Sequence, residues 1–211
     1  MVSIPIRQPI YYLAPLAPYL AVGTGLLVLH NAWAAMLGYH ALMVVAILTW
    51  GRPALARADY RVHRWRLLLA GTLPGLAGGT LFYLLWPHLG IPVNIDSYIR
   101  GLGLSPDSFP WFAAYFVAVN PVIEEYYWRG WLGSDRRQPV WNDFLFAGYH
   151  PLVLAGVVEP GWLAAIFTVL AAGAWLWRLL NQYHGGLLAS TLSHLAGDLS
   201  VMTAAYFLIS D

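Results

Sequence analysis

Of 211 residues, 59% are hydrophobic and 10% are charged; soluble domains carry about a quarter charged residues, so a water-covered globule is excluded. The eleven cations are all arginine, ten acids nearly balance them, and the net charge of +1 leaves no basic field for nucleic acid. Cysteine is absent, which removes disulfides, thiolate metal sites and a cysteine nucleophile.

A helix needs roughly 20 mostly apolar residues to cross ~30 Å of hydrocarbon. By that ruler seven segments qualify as spans: about 12–30, 32–50, 67–89, 110–132, 142–158, 161–180 and 186–209. No stretch alternates strictly enough for a lipid-facing barrel strand, and backbone in hydrocarbon then has to be helical. The expected fold is an all-α transmembrane bundle of about seven to eight helices, with residues 1–211 as a single integral-membrane domain.

The first segment begins after Arg7, and Ala32-Trp33-Ala34 mimics a signal-peptide cleavage site. Pro15 and Pro18 interrupt the run, however, and its apolar length exceeds a typical signal core, so an uncleaved span is expected. Between the second and third segments lie Arg52, Arg57, Arg61, Arg64 and Arg66. Arg136 and Arg137 follow the fourth segment and Arg178 closes the sixth. With an even number of crossings between them these share one side with Arg7, whereas Arg100 falls opposite; the positive-inside rule puts the N-terminus in the cytoplasm. Gly71, Gly75 and Gly79 form a small-residue stripe on the third segment, suited to close helix packing within the bundle or against a partner. The main polar excursion is the loop over 91–109, with Pro92, Asn94, Asp96 and Asp107.

Ionised groups inside spans cost about 2.5–3.5 kcal/mol each near the helix centre, so those present call for a reason. The fourth segment carries Asn120-Pro121-Val122-Ile123-Glu124-Glu125-Tyr126-Tyr127-Trp128-Arg129. Glu125 and Arg129 are four apart, the spacing at which a helical carboxylate meets a cation. Glu124 is turned about 100° away and shares its face with Asn120 and Trp128. The fifth segment holds Phe146 and His150, four apart, with Pro151 next; the seventh holds His194 and Asp198, four apart, with Ser190 a turn earlier. Each pair alone also suits a structural ion pair or a packing hydrogen bond. Together Glu124, His150, His194 and Asp198 offer a base, two imidazoles and a carboxyl group, a set able to activate water and stabilise an oxyanion.

Glu-Glu-x-x-x-Arg (Glu124, Glu125, Arg129), Phe-x-x-x-His (Phe146, His150) and His-x-x-x-Asp (His194, Asp198), in this order on separate spans, resemble the motifs of the CPBP intramembrane proteases. That family includes the CAAX prenyl endopeptidases and bacterial bacteriocin-processing and immunity proteins. The likeness covers about 110–205. It implies an endopeptidase acting near the membrane surface on a peptide or protein with a lipidated or hydrophobic C-terminus, surrounded by membrane lipid. It implies that Glu124 activates water, His150 assists, His194 and position 198 hold the oxyanion, and Glu125, Arg129 and Phe146 support the site. The expected location is the cell membrane of a prokaryote. The prenyl endopeptidases have asparagine at position 198; ionised Asp198 has no N–H to donate, so it is protonated, orients His194, or ligates a metal. Zinc held by Glu124, His150, His194 and Asp198 is one possibility; with no His-Glu-x-x-His, glutamate chemistry without metal is the other. Outside proteolysis, a proton-coupled transporter or a non-catalytic membrane scaffold or immunity protein uses similar residue types.

Overall fold

The computed structural model describes residues 10–52, 58–91 and 94–210; Arg7, Arg57 and Pro92 lie outside them. Among the described residues the chain is all-helical, without strands. After a single turn at Ile10–Leu13, helix α1 (Leu16–Gly23) runs into a π-helical turn, Thr24–Val28. Then come α2 (Ala32–Trp50), α3 (Trp65–Leu85), α4 (Ile95–Gly101) and α5 (Phe109–Glu124). α5 continues as a π-helical segment over Glu125–Trp131. α6 (Trp141–Gly148), α7 (His150–Leu154), α8 (Pro160–His184) and α9 (Leu188–Ser210) complete the bundle.

Among the described residues four helices are long and apolar enough to cross a membrane: Ala32–Trp50, Trp65–His88, Pro160–His184 and Leu188–Ile209. The fourth expected segment is helical from Phe109 to Trp131. The first and fifth are not single spans. The first is broken at Ala14–Pro15 and ends where His30 turns to φ 47, after which the Asn31 side chain caps α2 by accepting the Ala34 N–H at 2.8 Å. The fifth is divided into α6 and α7 at Tyr149. Pro151 has no N–H and its ring crowds the carbonyl one turn back, so the helix cannot run through.

α3 is the most outward-facing of the long helices, with Leu69, Leu73, Leu76, Leu81 and Leu84 all exposed. In water such a face would be a liability, whereas against acyl chains it costs nothing. Its small-residue stripe faces inward onto α9. Ser193 Oγ donates to the Gly71 carbonyl at 2.6 Å, Ser200 Oγ donates to the Gly75 carbonyl at 3.0 Å, and the Gly79 N–H donates to Ser200 Oγ at 2.9 Å. A Cβ on Gly75 would stand 2.4 Å from the Ser193 carbonyl oxygen, and one on Gly79 2.1 Å from that of Ser200. Gly79→Ala is therefore expected to push α3 off α9 and destabilise the protein by about 1–3 kcal/mol, read as a lower midpoint of thermal unfolding in detergent. Gly78→Ala, whose added carbon would find only Ser200 Oγ at 3.9 Å, is the matched control and should leave the midpoint in place.

The principal core is built from α1, α2, α5, α6 and α8 around Met43, Tyr127, Leu132, Phe146 and Ala174. A smaller one, around Ala32, Leu104 and Phe109, closes the opposite end. The principal core surrounds the polar cluster described next, and so screens it from bulk water.

Candidate active site

Where α5 gives way to its π-helical segment, the backbone carries Glu124 and Glu125 side by side, both fully buried. Pro121 removes one backbone donor just before this change of winding, and π-bulges of this kind recur where a helix presents functional groups. Glu125 turns toward Arg129: Oε1 lies 3.0 Å from a guanidinium nitrogen. The guanidinium sits over the Phe146 ring at 4.1 Å and the Trp177 ring at 5.0 Å. Two aromatic faces and one carboxylate thus surround a cation that water does not reach.

His194 of α9 lies between the carboxylates. Its Nδ1 is 3.1 Å from Glu125 Oε1, and a carboxylate only accepts, so this nitrogen carries a proton and donates. Nε2 lies 3.4 Å from Glu124 Oε2 and 3.6 Å from Asp198 Oδ1. Trp177 stacks on the imidazole with ring centres 4.4 Å apart, and the Phe146 ring meets it edge-on at 6.1 Å. These contacts leave the ring one orientation.

The two oxygens of Glu124 are not equivalent. Oε1 accepts short hydrogen bonds from the hydroxyls of Tyr39 and Tyr149. Oε2 faces His194 and makes no hydrogen bond among the described residues. Asp198 is held on its other side by Asn120, whose Nδ2 donates to Oδ2 at 3.2 Å. The amide oxygen of Asn120 faces His40 Nε2 at 3.1 Å, and His40 Nδ1 lies 3.2 Å from the Tyr115 hydroxyl.

Of the residues expected from the sequence, Glu124, Glu125, Arg129, His194 and Asp198 come together directly, with Phe146 packed beneath them. His150 is near without being bonded to Glu124. Its Nδ1 donates to the Phe146 carbonyl at 3.1 Å, which leaves Nε2 as the free acceptor. Its ring stacks on Tyr149 at 4.1 Å, and the Tyr149 hydroxyl reaches Glu124. Tyr39, Asn120, Tyr149 and His150 form the polar end of a cavity of about 300 Å³ whose remaining walls are apolar, among them Met36, Phe112 and Val153.

Several participants carry no sequence signal of their own: Tyr39 and Tyr149 on Glu124, Trp177 on His194. His40, an imidazole within an apolar span, was detectable by the same test that flagged His150. Asp143 and Arg178 are also buried. Arg178 bridges both oxygens of Asp143 at 3.1 and 2.8 Å and donates to the carbonyls of Ser134, Arg136 and Gln138, pinning the segment after α5 to α6 and α8.

Among the described residues no three His, Asp or Glu side chains are disposed to hold one metal ion. His194 and His150 engage Glu125 and the Phe146 carbonyl through Nδ1, which leaves Nε2 as the nitrogen of either ring that could ligate.

No curated protein and no solved structure matches this chain. A family model described as type II CAAX prenyl endopeptidase Rce1-like matches residues 106–200, the segment that carries all three motifs, and supports a CPBP-type intramembrane protease.

Proposed function

We propose that this chain hydrolyses a peptide bond close to the membrane surface, in a protein or peptide whose C-terminus is lipidated or strongly apolar, by glutamate-activated water. The family match supports the coarser part, an integral-membrane endopeptidase of CAAX type. The observation that carries the finer part is the asymmetry of Glu124: one oxygen holds two tyrosine hydroxyls while the other is left without a hydrogen bond beside His194.

In this reading Oε2 takes a proton from water as the water oxygen bonds to the scissile carbonyl carbon. The carbonyl π pair moves onto oxygen, and the resulting oxyanion is met by the Nε2 side of His194. His150 Nε2, free to accept, orients the attacking water. Collapse of the tetrahedral adduct breaks the C–N bond, and the proton on Glu124 passes to the departing amine. Glu125 and Arg129 hold His194 in place, and the apolar cavity beside His150 receives the hydrophobic part of the substrate.

The arginine-bearing segments also support a cytoplasmic N-terminus. The Leu187 N–H donates to the Asp59 carbonyl at 2.9 Å, Trp175 Nε1 donates to the Arg137 carbonyl at 2.6 Å, and Arg178 holds the 134–138 segment. Residues flanking Arg61, Arg64, Arg136 and Arg137 thus gather at one end of α8, whereas Arg100 shares a pocket with Tyr206 and Ile209 at the far end of α9.

The test is a quenched fluorogenic peptide ending in a farnesylated Cys-aliphatic-aliphatic-X sequence, presented to the purified chain in liposomes. Cleavage at one bond upstream of the C-terminus is expected, and no cleavage by folded protein removes the function. Chelator-washed protein, confirmed metal-free by elemental analysis, is expected to keep its rate; loss of activity restored by added zinc would replace the glutamate mechanism by a metal one.

A further inference from the structure

Resting on that reading, an oxyanion beside His194 finds no N–H on an ionised Asp198 and needs a second donor from elsewhere. A carboxylate there accepts and cannot donate to an oxyanion. We propose that Asn120, one turn before Glu124 on the same helix face, supplies the oxyanion-binding N–H in this protein, with His40 as its positioning residue.

The direction of every hydrogen bond in the chain of contacts follows from Asp198. Ionised, it has only acceptors, so the Asn120 group 3.2 Å away is the NH2 and the oxygen faces His40. His40 Nε2 must then carry a proton and donate to that oxygen, which makes Nδ1 the acceptor of the Tyr115 O–H. The amide is held at both ends and cannot rotate without breaking two bonds. One of its two N–H groups is used by Asp198; the other has no partner among the described residues. Asn120 is 3% exposed, and it lines the same cavity as His150, Tyr39 and Tyr149. A buried donor fixed in orientation beside the general base, with no reorganisation needed as charge develops, is what oxyanion stabilisation requires. Asp198 becomes the anchor of the amide and a flank of His194.

Asn120→Ala is expected to lower kcat on the farnesylated peptide about 10²–10³-fold, with KM little changed and the melting midpoint in detergent preserved. The pair Asn120→Ala with Asp198→Asn restores an amide on the other side of the same point, and is expected to recover at least a tenfold share of the lost kcat. His40→Phe should lower kcat by a smaller factor at constant KM, and His40→Gln, which can still donate to the Asn120 oxygen, should regain most of it. An Asn120→Ala variant within threefold of the parent kcat overturns the donor role while leaving Glu124 chemistry standing. A folded double variant no better than Asn120→Ala also overturns it, since Asn120 would then serve only to hold Asp198. Absence of cleavage by the unsubstituted chain instead removes the hydrolase reading itself.

Discussion

Glu124→Gln is expected to abolish cleavage, with kcat down by at least about 10³-fold, in a protein that folds and inserts as before. The magnitude follows from general-base catalysis, worth about 10²–10⁴-fold, with the same proton then needed by the leaving amine. The retention of fold follows from the surroundings. Glutamine keeps the shape of the side chain, and its amide oxygen can still accept from Tyr39 and Tyr149, the two hydroxyls that now meet Oε1. Its NH2 would take the place of Oε2, beside His194, where no hydrogen bond has to be broken. The measurement is initial rate in liposomes alongside the unfolding midpoint. A Gln variant that cleaves within tenfold of the parent would take the water-activating role away from Glu124, whatever the rest of the site does.

Arg129→Ala is expected to have the largest effect on stability. The Arg129 and Glu125 side chains are 3% and 0% exposed, and the pair is joined at 3.0 Å. Removing one partner of such a buried pair costs roughly 3–5 kcal/mol because the other charge is stranded in a poor solvent. The stranded group would be Glu125, with His194 Nδ1 still donating to it at 3.1 Å but no cation opposite. The guanidinium also fills the space between Phe146 and Trp177, so truncation opens a gap against two rings that position His194. The unfolding midpoint should fall by on the order of 10 °C, with activity lost in parallel. Arg129→Lys keeps the charge but not the flat group between two ring faces, and an intermediate midpoint is expected. An Ala variant that melts with the parent would show that the ion pair does not hold this site together.

The family and the helical pairs were legible because both depend on short-range order. A carboxylate four residues before an arginine meets it by helix geometry alone, which is why Glu125 and Arg129 could be joined on paper. The glycine stripe at 71, 75 and 79 could be read as a packing face for the same reason, although its partner, α9, could not. Insertion cost flags Glu124, His194 and Asp198 wherever they lie in an apolar run. Hydropathy counts residues without asking whether the backbone can continue, so the stretches 12–30 and 142–158 read as spans; Pro15 and Pro151 divide them.

What only the tertiary structure decided is who stands across from whom. Tyrosine is common in apolar helices, so nothing in the local pattern distinguishes Tyr39 and Tyr149, which clamp Glu124, from Tyr12, which is exposed. The chain from Tyr115 through His40 and Asn120 to Asp198 joins α2, α5 and α9, and Arg178 reaches Asp143 from 35 residues away. Helical spacing relates side chains along one rod, whereas contacts between rods depend on how each helix is rotated and set in depth. That setting is the joint outcome of packing at Gly75 and Gly79, the break at Pro151 and the buried charges themselves. The sequence alone therefore determined an all-helical membrane protein with expensive polar groups on three segments. Their meeting around Glu124 had to come from the folded bundle.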